Sequence, residues 1–388
     1  MQDPVARRMR EIEPFHVMKL LARARELEAQ GRDIVHMEIG EPDFPSPPQV
    51  LQAGIRALES GYTHYTPALG LMALREAIAD YYRQHYKIEF DARRVVVTPG
   101  SSGALQLLFG TLVNPGDSVL LTDPGYPCNR HFVRLFEGRA INIPVDANQN
   151  FQPRPEDIHR YADQHTRGLL VASPANPTGT VLSAESIREL AATLKQHDGY
   201  LIVDEIYHGL EYTDERLPTA LHYGENVFVI NSFSKFFGMT GWRLGWMVVP
   251  EEFIEPIDKL AQNIFLAAST PAQHAALACF TPETMEELER RRMEFQHRRD
   301  FLLPALERLG FKIKSVPTGA FYIYCDCSAF TQDSFLWCNE LLEQAGVAIT
   351  PGIDFGTHLA NTHVRFAYTT SIERLEEGMK RLEAYLQH

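Results

Sequence analysis

The chain has 388 residues, of which 45% are hydrophobic and 22% charged, and a formal net charge of −13. Its length exceeds what one hydrophobic core usually organises, so two domains are expected. The acidic balance excludes nucleic acid and an anionic membrane as partners, since basic surfaces hold both, and leaves any anionic substrate to local Arg or Lys.

Residues 1–14 are polar and read as an arm, without the apolar run of a signal sequence. Val17 to Gln30 is predicted as a helix, with Val17, Leu20, Leu21, Ala24 and Leu27 on one face. The stiff, Pro-rich stretch Gly40–Pro48 reads as a domain junction. From about residue 50 to 280, short apolar runs alternate with helical stretches such as Ser102–Thr111 and Ala184–His197. The runs are Val95–Val97, Val119–Leu121, Leu169–Ala172, Leu201–Val203, Val227–Ile230 and Leu244–Val249. Near-continuous apolar strands alternating with helices predict an α/β fold, its mostly parallel sheet covered by helices.

A long charged helix is expected over 283–309, with Pro304 placed to kink it. A strand (Phe321–Cys325), a helix (Ser334–Ala345), a strand (Val364–Tyr368) and a terminal helix (Ile372–Tyr385) follow. Residues 48–282 are thus expected to form the large domain, and 1–47 with 283–388 a smaller α+β domain. The five cysteines include no Cys-x-x-Cys and read as reduced thiols. No His-x-x-x-His pair reads as zinc, so no catalytic metal is expected. No apolar run is long enough to span a bilayer, and a cytoplasmic location is expected.

What ends the strands carries the chemistry, because ligands of open α/β sheets bind outside the carboxyl ends. Gly100-Ser-Ser-Gly103 opens a helix after one strand, and a helix N-terminus attracts anions. Tyr126 follows the next strand, and a tyrosine can stack on a flat ring. Asn176 sits in a turn stiffened by Pro174 and Pro177. Asp204 ends a hydrophobic strand, where it would either cap a turn or face a protonated pyridine nitrogen. Tyr207 lies three residues on. After Val227–Ile230 come two hydroxyls, Ser232 and Ser234, one amine, Lys235, and eight residues later the guanidinium of Arg243. Taken singly, Arg243 would be a surface ion pair. Beside two serines and a helix N-terminus it suggests a phosphate anchor. An amine just beyond a buried strand can be desolvated, lose its proton and attack a carbonyl to form a Schiff base.

Asn176-Pro-Thr-Gly179, Asp204-x-x-Tyr207, Ser232-x-Ser-Lys235 and Arg243, in that order, resemble the class I/II aminotransferases of pyridoxal-phosphate fold type I. The resemblance runs from Gly40-Glu-Pro-Asp-Phe44 to Arg365. It implies pyridoxal 5'-phosphate as cofactor, amino-acid and 2-oxo-acid substrates, and a homodimer with shared active sites. Lys235 then resembles the Schiff-base lysine and proton shuttle, Asp204 the partner of the pyridine nitrogen, and Asn176 and Tyr207 the contacts of the ring oxygen. Tyr126 matches the stacking aromatic. Ser101, Ser102, Gly103, Ser232 and Arg243 fall where the phosphate is held, with Ser234 a looser match. Tyr65 is similar to the tyrosine that reaches a neighbouring subunit's phosphate. Gly40 and Arg365 match the groups that hold the substrate carboxylate, to which a planar guanidinium offers two parallel hydrogen bonds.

Aspartate-using relatives of this subgroup place a lysine where this chain has Ser102, which disfavours aspartate as donor. Phe15, His16, Val17 and Tyr322 are candidates for the side-chain pocket and suggest a small or apolar donor such as alanine. Phe15 and Val17 are also what an ordinary helix start would show. The same residues would serve a carbon–sulfur β-lyase, distinguished by release of pyruvate and ammonia without an acceptor. A cofactor-fold sensor would need a DNA-binding domain that this chain does not show. A nicotinamide dehydrogenase would need a Gly-x-Gly-x-x-Gly after a strand, which is absent.

Overall fold

A computed structural model of the chain describes residues 4–213 and 216–387. The first three residues of the expected arm therefore lie outside the described residues. In chain order the strands are β1 (Val35–His36), β2 (Val95–Thr98), β3 (Ser118–Asp123), β4 (Arg139–Pro144), β5 (Thr166–Ala172), β6 (Tyr200–Asp204), β7 (Val227–Ser232), β8 (Gly245–Val248), β9 (Tyr322–Asp326), β10 (Val347–Ala348), β11 (Thr350–Pro351) and β12 (His363–Ala367). The helices are α1 (His16–Ala29), α2 (Pro48–Glu59), α3 (Met72–Tyr86), α4 (Gly100–Leu112), α5 (Cys128–Leu135), α6 (Pro155–Tyr161), α7 (Ala184–Gln196), α8 (Ile254–Ile264), α9 (Thr270–Ala276), α10 (Pro282–Leu309), α11 (Ser334–Glu340) and α12 (Ile372–Leu386).

The apolar runs between residues 95 and 249 do form one sheet, of order β2-β8-β7-β6-β5-β3-β4. Every residue of β2, β7 and β8 is buried, which is why these strands read as unbroken hydrophobic runs. Burying one such Val or Ile side chain contributes about 1.5–3 kcal/mol. Residues on the two sheet faces enter two separate apolar clusters, so helices cover both sides. The edge strand β4, Arg-Ala-Ile-Asn-Ile-Pro, has only one buried residue, and no apolar run announced it.

One feature of this sheet shapes the site. The twelve residues between β7 and β8 form turns and one short 3-10 stretch, Thr240–Trp242, with no crossover α-helix, and β8 runs antiparallel to both β7 and β2. The start of β8 therefore lies at the same edge as the carboxyl ends of its neighbours. There Gly245 is paired with Thr98 on one side and Ser232 on the other.

The C-terminal elements build a second sheet, β11-β12-β9, all antiparallel. Arg365 sits on its central strand, paired with Thr350 and Tyr324. The observed β9 starts one residue after the expected strand, and β12 one residue before it. β1 from the N-terminal segment pairs with β10 in parallel. The long helix α10 runs unbroken through Pro304 and ends at Gly310, whose φ of 100 is a left-handed conformation suited to glycine. Helix α11 continues into a π-helical turn, Leu341–Ala345, and stops at Gly346. The first helix starts at His16, and its opening N–H groups are met from far away in sequence. The backbone amides of His16 and Val17 donate to the two carboxylate oxygens of Asp354 at 2.7 and 2.8 Å. A carboxylate there satisfies orphan donors and complements the helix dipole.

Candidate active site

The carboxyl edge of the large sheet gathers the residues that the sequence singled out. Helix α4 starts at Gly100, whose φ of +67 turns the chain from β2 into the helix, and no side chain caps its N-terminus. Ser101 and Ser102 are half-buried and Gly103 is buried. Arg243 is itself in a left-handed conformation, with φ 54, and its guanidinium donates to the Thr240 carbonyl at 3.1 Å. A Cβ added at Gly100 would meet Arg243 Nη2 at 2.7 Å, so the guanidinium lies against the helix start. Ser232 Oγ donates to Ser234 Oγ at 3.0 Å and accepts from the Ser234 amide at 3.1 Å. Amides, hydroxyls and one cation thus face a common cup, the donor set that a phosphate dianion requires.

Gly245 is the floor that lets this cup form. A Cβ there would lie 2.8 Å from the Gly100 carbonyl carbon and 2.9 Å from both the Ser101 nitrogen and the Asn231 oxygen. All three are backbone atoms and cannot swing aside. Gly245→Ala should cost about 1–3 kcal/mol of stability through overpacking and weaken cofactor retention about tenfold. Thermal unfolding and equilibrium dialysis of the cofactor would check both. Unchanged retention would mean that the helix start does not border the phosphate.

Asp204 ends β6, buried at 7% exposure, and its Oδ1 accepts from the Ile206 amide at 3.1 Å. Burial pushes its carboxyl up to about 7; the Ile206 amide and the Lys235 charge oppose that rise. A carboxylate so placed gains most from a buried cation, which a protonated pyridine nitrogen supplies.

Lys235 follows β7, and its Nζ donates to the Gly40 carbonyl at 2.6 Å. Burial pushes the amine down to about 8; Glu41 and Asp204 favour its charge, while Arg365 and Arg243 disfavour it. Such an amine is neutral often enough near neutrality to act as nucleophile and base.

Tyr207 is buried, with Lys235 Nζ 5.8 Å from its ring centroid. Its hydroxyl lies 2.8 Å from that of Tyr322. Arg365, 5% exposed, donates from Nη1 to Asn176 Oδ1 at 2.9 Å and from Nη2 to the Glu38 carbonyl at 2.6 Å. Its guanidinium lies between the rings of Tyr322, at 4.3 Å, and Phe355, at 4.9 Å. Its Nε is buried without a hydrogen-bond partner. Tyr126 is 38% exposed, and its ring stands 6.3 Å from that of Phe15 at the start of α1. Val17 is half-buried one turn-step beyond. Asn176 is thus bonded to Arg365, Arg365 stacks on Tyr322, Tyr322 meets Tyr207, and Lys235 lies over the Tyr207 ring with the Asp204 charge acting on its amine. Tyr65 stands apart, 82% exposed.

Three neighbours carry no pattern in the sequence. Glu38 presents a backbone oxygen to Arg365, Thr350 Oγ1 accepts from Arg365 Nη2 at 3.1 Å, and Phe355 covers the guanidinium. Only the register of β12 with β11 reveals Thr350, and sequence periodicity does not encode that register.

Residues 32–382 match the family model for aminotransferases of class I and II. The chain belongs to that family. The chain is 38% identical to a valine–pyruvate aminotransferase of Mycobacterium tuberculosis, covering 100% of this chain and 99% of the relative. It is 36% identical to an aspartate/prephenate aminotransferase of Thermus thermophilus, over 98% of each. A crystal structure of an aminotransferase from Mycobacterium tuberculosis superposes with a TM-score of 0.95 at 37% identity, covering both chains fully. The protein is an aminotransferase of the α/β fold type I, and its cofactor is pyridoxal 5'-phosphate. The relatives named here are themselves called aminotransferases. Among the described residues no helix is long and apolar enough to cross a membrane.

Proposed function

We propose that this aminotransferase moves an amino group from a small or apolar L-amino acid to a 2-oxo acid in two half-reactions, with Lys235 as covalent anchor and proton carrier. The observation that carries this reading is the Lys235 amine, held on the Gly40 carbonyl at 2.6 Å and close enough to the Asp204 carboxylate and the Arg365 guanidinium for both charges to act on it. When bound, pyridoxal phosphate withdraws electrons from the substrate α-carbon and so acidifies its C–H bond.

The chain's own residues do the rest. The amides of Ser101, Ser102 and Gly103, the hydroxyls of Ser232 and Ser234, and Arg243 bind the phosphate. Asp204 holds a proton on the ring nitrogen. Asn176 and Tyr207 hydrogen-bond the ring oxygen, and Tyr126 covers one ring face. Arg365, with the Gly40 backbone, orients the substrate carboxylate so that the α-hydrogen faces Lys235 Nζ. The Lys235 amine, when free, would take that proton as base and give it back as acid on the same face of the site. Water releases the oxo acid, and a second oxo acid reverses the sequence, which predicts ping-pong kinetics.

Three features support the donor class. Ser102 offers no cation to a distal carboxylate, Phe15 places an apolar ring beside Tyr126, and a 38% identical relative is named for valine and pyruvate. A panel of amino donors without acceptor, read by the cofactor's absorbance, tests it. Alanine or valine should convert the cofactor faster than aspartate; no conversion by any amino acid would sink the reading. Arg365→Lys keeps the charge but loses the fork, and should raise the KM for every donor about 10–100-fold. Steady-state kinetics with two donors checks that, and an unchanged KM would remove Arg365 from the carboxylate site.

The same proposal includes a homodimer. Leu51, Ile55, Leu58 and Tyr62 leave an exposed apolar face on α2 and just beyond it, next to the 82% exposed Tyr65. There Tyr65 would reach the phosphate of a second copy. It also keeps the division at 47/48 and 282/283, supported by the segregation of the two main sheets on either side of residue 282. Five unpaired thiols fit a cytoplasmic location.

A further inference from the structure

We propose that Tyr322 is a two-sided positioning residue, its hydroxyl ordering Tyr207 toward the cofactor and its ring face seating Arg365 for the substrate carboxylate. This rests on the reading of Tyr207 and Arg365 given above and assigns the residue that ties them together.

Tyr322 opens β9 and is 1% exposed, so its side chain has no freedom to choose partners. Its hydroxyl lies 2.8 Å from the Tyr207 hydroxyl, a pair in which either oxygen can donate. The cofactor settles the direction. A ring oxygen that accepts from Tyr207 uses the single Tyr207 proton, so Tyr207 must accept from Tyr322. Tyr322 then polarises Tyr207 and fixes its hydroxyl rotor, which strengthens donation to the ring oxygen.

The other side of the residue acts on Arg365, whose guanidinium stacks 4.3 Å from the Tyr322 ring centroid. That contact needs the ring and not the hydroxyl. Gly40 keeps the arrangement compact. A Cβ there would fall 2.1 Å from the Tyr322 hydroxyl oxygen, and the Gly40 carbonyl is the acceptor of Lys235 Nζ. The charged groups facing the tyrosine pair are Arg365 over one ring and Lys235 over the other.

The two functions separate by mutation of the holoenzyme. Tyr322→Phe removes only the hydroxyl. The pH midpoint of the bound cofactor's visible absorbance should move up by about half a unit, in the same direction as in Tyr207→Phe. Turnover should fall roughly three- to tenfold, while the KM for the amino donor stays within about twofold. Tyr322→Leu removes the ring as well and should also raise that KM. In a Tyr207→Phe background, Tyr322→Phe should shift the midpoint no further, because its route runs through the Tyr207 oxygen. An equal shift in both backgrounds, or none in the wild type, overturns the proposal. If Tyr207→Phe itself leaves the midpoint in place, the assignment of Tyr207 falls, and this inference with it.

Discussion

Lys235→Ala should yield a folded protein whose amino transfer is slowed at least ~10⁴-fold, the upper range for loss of a positioned acid–base group. The fold has little reason to change. Lys235 lies in the turn after β7, and its amine makes one hydrogen bond, to the carbonyl of the half-buried Gly40, so alanine forfeits a single bond outside the two apolar clusters. The chemistry has every reason to change. No other amine has been placed at this edge of the sheet to take over the proton. Rapid mixing of the cofactor-loaded variant with the best donor measures the step directly. Wild-type conversion would mean that another group moves the proton.

Asp204→Asn should lower turnover about 10²–10³-fold, the loss typical of one preorganised electrostatic partner. Asparagine keeps the shape but cannot stabilise a proton on the ring nitrogen as a carboxylate does. The same substitution should alter the cofactor-free protein in the opposite sense. Burial holds the Asp204 carboxyl at about 7, above its ordinary value of 3.8. Below about pH 4 it is protonated both folded and unfolded. Between about 4 and 7 only the unfolded chain releases the proton, so stability falls as pH rises through that window and levels off above it. Glu205, buried beside it and pushed up to about 8, adds a fall that ends slightly higher. Asp204→Asn removes the first share. The cofactor-free variant should therefore lose less of its melting temperature between pH 5 and 8 than cofactor-free wild type. Identical losses in both would show that Asp204 ionises freely without its partner.

Much of this was legible in the residues, for definite reasons. Strands β6 and β7 are buried on both faces, so Leu201–Val203 and Val227–Ile230 stand out as apolar runs, and the polar residues that end them stand out by contrast. Asp204, Ser232 and Lys235 are found that way. Arg365 and Tyr322 lie within β12 and β9, whose sequences His-Val-Arg-Phe-Ala and Tyr-Ile-Tyr-Cys-Asp mix polar with apolar residues, so neither stands at the end of an unbroken apolar run. There the resemblance supplied Arg365, and only the fold shows that Tyr322 bonds to Tyr207. Thr350, Phe355 and the Glu38 carbonyl act through register and backbone position, which leave no mark on composition or spacing. The edge strand β4 hid because exposure removes the hydrophobic pattern that identifies its neighbours.

The carboxylate of Asp354 that holds the amides of His16 and Val17 has an evolutionary consequence. Nothing in that clasp depends on the side chains at 15, 16 or 17, because it grips backbone. Phe15 and Val17 are therefore free to drift, one substitution at a time, while the helix that carries them stays moored. The groups proposed to hold the cofactor and carry the proton come from the ends of other strands and are untouched by that drift. An enzyme arranged this way can change diet without relearning its chemistry. Substitutions at positions 15 and 17 are where a search for new donors should begin.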